Sequence, residues 1–475
     1  MNEKKKVVLM YPNPKWAEFM ERTSWIMHPY NLCLIAAMVE KDYDVKIIDA
    51  NLDNLSVEDF SESIRNMQPD IVGISTITNE YTASALIAAK TIKETSPNTK
   101  VVLGGVSVIS DHKPFIQSPY VDCVVVGEGE YAFKQLCDFL SEKGNFPERG
   151  VLYKEHGQIR GGGRVDFIED LDALPLPAYH LVDLTKYTNQ IQRESVDRPR
   201  AMPYARVLTS RGCPYGCCFC EVESISGKKI RFRSLKSITE EIEWLIRDYG
   251  IKALSFDDDN LTANRERAKE LFRIMIDRKY NLKWYNSAVG LFTLDDEILD
   301  LMKESGCQFL GVAIESGNQR VLKDIIHKPI DLVQAKEMIE KIKQRGIDLS
   351  VNFIIGFPGE TWEEIRETIK FAEEIDVDYA KIFIATPLPN TELYRITKEG
   401  GYLKEGFEFN KHLWTDGWIK SSEFRPQDLK VLRAYEWDRI NFSSPEKRKN
   451  IARMMGISEE RLDEIRKDTL KRANP

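Results

Sequence analysis

The sequence predicts an α/β protein made of two successive series of alternating strands and helices, followed by a helical tail. Three observations carry this. Apolar strand-like runs alternate with helical stretches over residues 1–145, a second such series fills 201–395, and the stretch between them, 146–200, is rich in glycine and proline. At 475 residues the chain has length for two or three domains with sizeable cores.

In the first series the strand-like runs are Val7–Met10, Val45–Ile48, Ile71–Ile74, Val101–Leu103 and Val124–Val126. Residues 82–95 show the helical period, with Leu86, Ala89 and Ile92 on one side. Such alternation predicts a doubly wound parallel sheet, whose ligand sits at the carboxyl ends of the strands. The loops there are Tyr11-Pro-Asn13-Pro14, Asp49-Ala-Asn51, Ser75-Thr76-Ile-Thr78, Gly104-Gly105-Val106 and Gly127-Glu128-Gly-Glu130. The hydroxyls of Ser75, Thr76 and Thr78 can bond polar groups, and the glycine pair lets a bulky ligand approach the backbone. Glycines after strands also serve plain turns, so this pattern alone leaves both readings open.

Residues 146–200 carry Gly161-Gly-Gly163, Pro175, Pro177 and Pro199, and Leu171–Pro177 reads as an extended linker. The second series then begins with Val207–Thr209 and continues with Ala253–Phe256, Trp284–Asn286, Phe309–Ile314, Leu349–Ile355 and Lys381–Ile384. Amphipathic helices lie between, marked by Ile238, Ile242, Leu245 and Tyr249, then by Ala268, Leu271, Phe272, Met275 and Ile276.

The first strand of this series leads into Arg211-Gly-Cys213-Pro-Tyr-Gly-Cys217-Cys218-Phe219-Cys220. Cys213, Cys217 and Cys220 stand at C-x3-C-x2-C on a loop, too close for a folded element between them, so their thiolates converge. Three soft ligands suit zinc or an iron-sulfur cluster. A structural zinc would need a fourth Cys or His, and none stands at short range. Cys218 is adjacent to Cys217 and is expected to pack or turn away. A disulfide is disfavoured because no secretory signal is present.

Other strand ends also carry polar groups. Phe256-Asp257-Asp258-Asp259-Asn260 sets three carboxylates together, for a ligand or for helix capping. Glu315 follows an apolar strand and could accept from a ribose diol or an ammonium group, or join an ion pair. Gly356-Phe-Pro-Gly359-Glu360 and Thr386-Pro-Leu-Pro-Asn390-Thr391 end the last two strands.

The cysteine motif, with Phe219 as the aromatic before its last cysteine, resembles the radical S-adenosylmethionine (SAM) superfamily. The resemblance implies a partial (β/α)6 barrel of the TIM type, and a 4Fe-4S cluster held by Cys213, Cys217 and Cys220 whose open iron chelates SAM. Phe219, Asp258 or Asp259, Glu315 and Gly356 would then contact SAM. The first series, through Asp49, Pro69–Ser75, Gly104-Gly105 and Asp122 leading into Gly127–Glu130, resembles the Rossmann-like cobalamin-binding domain of cobalamin-dependent radical SAM enzymes. Asn13, Ser75, Thr76, Thr78, Gly104, Gly105, Val106, Gly127 and Glu128 would line the corrinoid. One departure stands out: where many such domains carry Asp-x-His-x-x-Gly, this chain has Tyr11-Pro-Asn-Pro14, so no histidine from that motif reaches the cobalt. His28 is the nearest alternative, with a capping or surface role the commoner one.

These resemblances imply a class B-like methyltransferase acting on an unactivated carbon, with SAM supplying both the methyl group of methylcobalamin and a 5'-deoxyadenosyl radical. Rivals are a cobalamin-dependent rearrangement, cyclisation or oxidation, and a corrinoid carrier or sensor without enzymatic activity. A methylthiotransferase would need three further cysteines in the first domain, and only Cys33, Cys123 and Cys137 are there, in or beside apolar runs. The expected partners are a small-molecule, lipid or peptide substrate and an electron donor such as flavodoxin or ferredoxin.

Composition excludes other classes. The net charge of −8, with 67 basic and 75 acidic residues interspersed, leaves no footprint for nucleic acid. The amino-terminal run Val7–Met10 is far short of the ~20 apolar residues of a membrane span, and Pro12, Pro14 and Lys15 end it before a signal peptide forms. The chain reads as cytoplasmic. Residues 396–475 are helical in pattern with no catalytic motif, and Phe407, Phe409, Trp414 and Trp418 read as core packing or as the lining of a substrate pocket.

Overall fold

The computed structural model describes residues 4–17, 26–147, 149–155, 157–163, 167–187, 195–408 and 416–473. Its chain forms two compact units that divide in sequence between residues 193 and 194, with Ser224–Gly227 belonging to the first.

The first unit is a seven-stranded sheet of order β2-β1-β3-β4-β5-β6-β7. Strands β1 (Lys6–Tyr11), β2 (Asp44–Asp49), β3 (Ile71–Thr76), β4 (Lys100–Gly105) and β5 (Cys123–Val125) pair in parallel. Both faces are covered, which is why these strands read as continuous apolar runs. Val7, Leu9 and Tyr11 pack into one core with Leu32, Phe133 and Leu136. Val8 and Met10 point the other way, into a core with Phe60, Ile92 and Phe115. Full burial of each such side chain stabilises the unit by about 1.5–3 kcal/mol.

The stretch expected to be a linker does more than tether. Strands β6 (Val151–Glu155) and β7 (Gln158–Gly161) form a hairpin that extends the sheet antiparallel from β5. Its alternation is weak because β7 is exposed along its whole length, so burial imposes no pattern on it. Further on, Tyr179 and Tyr187 are fully buried in this unit.

The second unit carries β8 (Tyr204–Val207), a two-residue pair β9 (Ser210–Arg211) and β10 (Arg231–Phe232), then β11 (Ala253–Phe256), β12 (Lys283–Val289), β13 (Cys307–Glu315), β14 (Asp348–Ile355) and β15 (Tyr379–Ile384). Six of them form one parallel sheet in sequence order, β8-β11-β12-β13-β14-β15. Among the described residues no ladder joins β8 to β15, so the barrel is partial. The free edge is covered instead by helix Pro426–Asn441. Asn441 accepts from the Ala380 amide at 2.7 Å and donates to its carbonyl at 2.8 Å, and Arg433 Nε donates to the Ile382 carbonyl at 2.9 Å. These bonds satisfy strand groups that would otherwise stand open to pairing.

The first barrel strand lies three residues earlier than its apolar run suggested. Thr209 and Ser210 have left the sheet because their donors are drawn to Asp258. Helix Leu235–Tyr249 starts on the Ser234 cap and stops at Gly250 in the left-handed region, and helix Trp362–Glu374 starts on a Thr361–Glu364 capping box. In the tail, Phe407 and Trp418 meet at 5.5 Å between centroids, while Phe409 and Trp414 lie outside the described residues. Among the described residues no helix is long and apolar enough to cross a membrane.

Candidate active site

The cysteine loop leaves the carboxyl end of β8, where a barrel places its chemistry. Cys213, Cys217 and Cys220 are in no disulfide and are partly exposed, whereas Cys218 is buried. The three thiols lie within electrostatic reach of one another, and the Cys220 amide donates to the Cys217 carbonyl at 3.0 Å, which folds the last turn back. Cys218 faces inward as its adjacency predicted. Its amide donates to Ile326 at 3.0 Å and its carbonyl accepts from Leu393 at 2.8 Å. Burial pushes all three exposed-loop thiols above their usual range, Cys220 to about 12, so cluster assembly must release their protons. Among the described residues no three His, Cys, Asp or Glu side chains close tightly enough to hold a single ion. Three thiolates at C-x3-C-x2-C suit an iron-sulfur cluster, whereas a structural zinc site is closed by four ligands.

Two aspartates fasten the root of this loop. Asp258 was expected to touch SAM, but its buried Oδ1 accepts from the Thr209 amide at 3.1 Å, the Thr209 hydroxyl at 2.7 Å and the Ser210 hydroxyl at 2.6 Å. Burial raises its pKa against the pull of those donors. Asp259 Oδ2 accepts from the Gly212 amide at 2.8 Å. Arg267 adds bonds to the Thr209 hydroxyl and to the Thr209 and Arg233 carbonyls. Asp258→Ala leaves three donors without their acceptor. It should cost about 3 kcal/mol in anaerobic urea unfolding and lower the iron retained per chain.

Glu315 ends β13 at φ 78, left-handed backbone that a non-glycine residue adopts at a cost of about 1–3 kcal/mol. The ladder to β14 shifts register at this point. Glu315 is buried, and its Oε1 accepts from Lys328 Nζ at 3.0 Å. Lys328 is a residue the sequence reading missed. It follows the short π-helical turn Val321–Ile326 and His327, itself at φ 64, and the Cys218–Ile326 bond brings this segment against the cysteine loop. Burial pulls the Lys328 pKa down, but Glu315 and then Cys217 more than offset it, so the net shift is upward and the side chain is a fixed cation. A lone lysine between Ile326 and Ile330 was the available signal.

Gly356, at φ 90, was expected to let adenine approach. A Cβ there would stand 2.4 Å from Leu429 Cδ1, so the close approach is made by helix Pro426–Asn441, within the protein. Its amide and that of Phe357 donate to Glu360 Oε2 at 2.6 and 3.0 Å. The Phe357 ring lies 6.1 Å from that of Phe219, so these two aromatics border one space. Asn390 takes the left-handed turn at φ 65 that its position requires.

Glu360 is fully buried and burial lifts its pKa to about 8. A carboxyl that is protonated when folded and ionised when unfolded loses stability as pH rises from its unfolded value, about 4.5, through about 8. Unfolding followed from pH 5 to pH 8.5 should therefore show this loss, and Glu360→Gln, which keeps an uncharged side chain there, should flatten that slope.

In the first unit the sheet order reverses between β1 and β3, the switch point where a doubly wound sheet opens a crevice. Two polar atoms there are buried without hydrogen-bond partners among the described residues: Thr78 Oγ1 after β3 and Asn51 Oδ1 after β2. Asn51 Nδ2 donates to the Tyr81 hydroxyl at 3.1 Å, which ties the two loops together. Ser75 and Val106 are half-buried, and a Cβ on Gly104 would meet nothing closer than 3.8 Å. Orphaned polar atoms at these strand ends, with a glycine whose Cβ position is free of clashes, fit the polar tail of a corrinoid.

Other predicted contacts in this unit turn out to have work inside the protein. Asn13 accepts from the Lys15 amide at 3.1 Å and donates to the Leu55 carbonyl at 3.1 Å. Thr76 Oγ1 bridges the Gly104 carbonyl and the Ser107 amide. Gly105, at φ 93, is a glycine because a Cβ there would lie 2.4 and 2.7 Å from Thr76 backbone atoms. Gly127 takes φ 125, and Glu128 Oε2 accepts from the Ile168 amide at 2.6 Å. His28 is not at the surface: it is buried, with the rings of Tyr179 at 5.0 Å and Tyr187 at 6.0 Å. Tyr187 also donates to Asp49 Oδ2 at 3.1 Å, and burial lifts Asp49 to about 6. Cys33, Cys123 and Cys137 are core residues, which removes the methylthiotransferase reading.

Comparison with known proteins gives the same two parts. Residues 22–137 match the B12 binding domain and residues 207–372 the Radical SAM superfamily. An uncharacterized methyltransferase of Pyrococcus horikoshii is 35% identical over 410 residues, covering 85% of this chain and 86% of that protein. Cytidylyl-2-hydroxyethylphosphonate methyltransferase of Streptomyces wedmorensis is 29% identical over 445 residues, covering 84% and 82%. The fold is similar to that of the radical SAM methyltransferase TsrM of Kitasatospora setae, solved with cobalamin and a [4Fe-4S] cluster bound, with a TM-score of 0.66, 18% identity, and coverage of 84% and 76%. With three free cysteines after the first strand of a parallel barrel sheet in one unit, a doubly wound sheet in the other, and a methyltransferase 35% identical over most of both chains, the chain belongs to the cobalamin-dependent radical SAM methyltransferases.

Proposed function

We propose that the protein methylates a carbon bearing no activating group, on a small-molecule, lipid or peptide substrate, by a radical route in the cytoplasm. The observation that carries this reading is the loop that brings Cys213, Cys217 and Cys220 into electrostatic reach of one another while Cys218 is buried and turned into the fold. When bound, the cluster supplies the electron that cleaves SAM to a 5'-deoxyadenosyl radical, and cobalamin carries the methyl group.

The chain's own residues position these groups. Cys213, Cys217 and Cys220 hold the cluster, and Asp258, Asp259 and Arg267 keep the loop from spreading. Phe219 and Phe357 border the adenine, and Glu315 takes a ribose or ammonium group. In residues 1–145, Ser75, Thr78, Asn51 and Gly104 border the corrinoid tail. A C–H bond of ordinary strength resists acid-base chemistry, so the protein's contribution is alignment and exclusion of water, and no general base is assigned. The electron comes from a flavodoxin or ferredoxin.

The test is anaerobic turnover with SAM, a reductant and candidate acceptors. Methylated product, S-adenosylhomocysteine and 5'-deoxyadenosine should appear together. Release of 5'-deoxyadenosine without S-adenosylhomocysteine would move the enzyme to a rearrangement, cyclisation or oxidation.

A further inference from the structure

We propose that the barrel interior holds the non-reacting end of the substrate and that this end is polar and anionic, which makes the substrate a water-soluble small molecule and not a lipid or a peptide chain. The proposal rests on the methyltransferase reading above and narrows its substrate. Side chains of a strand alternate between two faces. In β14 and β15, Val351, Phe353, Ala380 and Ile382 are buried on the outer face, where the Phe353 ring meets that of Phe371, on helix Trp362–Glu374, at 6.3 Å. Ser350, Asn352 and Lys381 therefore face the interior. On β8, Arg206 does the same between the fully buried Ala205 and Val207.

A barrel interior is ordinarily packed with branched apolar side chains. This one carries ion pairs. Lys381 Nζ is paired with Asp197, whose Oδ1 accepts from the Ser350 hydroxyl at 3.4 Å. Arg206 Nε is paired with Asp257, whose Oδ1 accepts from the Ser255 hydroxyl at 2.7 Å. The Lys381 side chain stays 18% exposed and that of Arg206 15%, so solvent still reaches this layer. Two buried polar atoms beside the pairs have no hydrogen-bond partner among the described residues: Asn352 Oδ1, next to Lys381 in the ladder, and Arg200 Nη1, close in sequence to Asp197. Leaving both a donor and an acceptor unpaired is costly unless a ligand pairs them. Asn352 Oδ1 calls for an N–H or O–H, and Arg200 with the spare donors of Lys381 calls for anionic oxygen.

The two ends of the interior differ. At the amino end, where Asp348 begins β14, Arg200 Nη2 donates to Asp348 Oδ2 at 2.6 Å and its guanidinium lies 5.5 Å over the buried Tyr285 ring. Toward the carboxyl end the next inward residues are apolar, Ile354 and Phe383, neighbours in the ladder and half-buried. That is the end from which the cysteine loop leaves β8. A carbon with no activating group suits the apolar layer, with the polar end of the same molecule held in the charged layer below. An apolar lipid body placed there would strip water from the ion pairs and give nothing back. An interior stopped at one end admits a short molecule end-on, not a chain running through it.

The experiment follows the methyl group instead of a guessed acceptor. Anaerobically reconstituted holoenzyme is given SAM with a trideuterated methyl group and, in separate reactions, the protein-free water-soluble small molecules, the lipids and the peptides of its source cells. Mass spectrometry should find the label in the water-soluble fraction, on a compound that an anion-exchange resin retains. Asn352→Leu removes an acceptor that no donor among the described residues uses, so it should fold, load iron and bind SAM as the wild type does. It should need about tenfold more of the labelled compound for half-maximal methylation, the usual effect of losing a buried bond. Turnover at saturation should be kept, because the contact is remote from the reacting carbon. Lys381→Met should shift the same concentration, and Lys381→Arg should restore part of it. Label in the lipid or peptide fraction, or on an uncharged compound, overturns the proposal and leaves the methyltransferase reading standing. Wild-type concentration dependence in both Asn352→Leu and Lys381→Met also overturns it. Formation of 5'-deoxyadenosine with no label in any fraction fails the methyltransferase reading itself, and this proposal with it.

Discussion

Cys217→Ala should abolish reductive cleavage of SAM, with 5'-deoxyadenosine falling to background and iron per chain dropping below that of the wild type. A cluster held by three thiolates has no ligand in reserve. The nearest sulfur, Cys218, cannot swing in, because its amide and carbonyl are bonded to Ile326 and Leu393 and its side chain is buried. Burial also pushes the Cys218 thiol far above the thiolate range, so a rescuing ligand would have to lose a proton in an apolar site. The control is therefore its neighbour in sequence. Cys218→Ala removes a small core side chain, costs about 1–2 kcal/mol in stability, and should leave iron content and SAM cleavage intact. Equal loss of iron in the two variants would mean that the motif has been assigned to the wrong sulfurs.

How far the sequence carried this reading follows from what burial writes into it. Strands covered on both faces, such as β1, β3 and β14, were legible as apolar runs because every position in them is constrained. β7 was not, since all four of its residues are exposed. The cysteine loop was legible because chemistry fixes both residue type and spacing. Lys328 was not, because it reaches its place through a π-helical turn and a left-handed residue, neither of which leaves a periodic trace. Asp258 and Gly356 show that strand-end residues also serve the fold. Each stands at a strand end, where a ligand is expected, yet one fastens Thr209 and Ser210 and the other makes room for Leu429. A strand end therefore shows where a site is. Which residues there are free to bind depends on neighbours distant in sequence.

The glycine pair after β4 shows how such roles can be separated. Gly104→Leu should fold normally and purify without cobalamin absorbance, because a Cβ there meets only Val125 at 3.8 Å and the rest of the side chain would enter the space proposed for the corrinoid. Gly105→Ala should do something different. At φ 93 its Cβ would lie 2.4 Å from the Thr76 carbonyl oxygen and 2.7 Å from the Thr76 amide nitrogen. Backbone on both sides cannot yield as a flexible side chain could, so β3 and β4 must part at their carboxyl ends. The expected cost is about 3 kcal/mol, from left-handed strain together with that clash, read as an earlier urea midpoint in the corrinoid-free protein. Thr76 makes the distinction sharper, since its hydroxyl bridges the Gly104 carbonyl and the Ser107 amide and so transmits any displacement to the start of helix Val106–Ser110. If Gly104→Leu instead lowers the midpoint as Gly105→Ala does, the space beside Gly104 belongs to the packing of the sheet and the corrinoid tail lies elsewhere. Retained cobalamin absorbance in a stably folded Gly104→Leu variant would have the same meaning for the ligand, and would shift attention to the buried, unpartnered oxygens of Thr78 and Asn51.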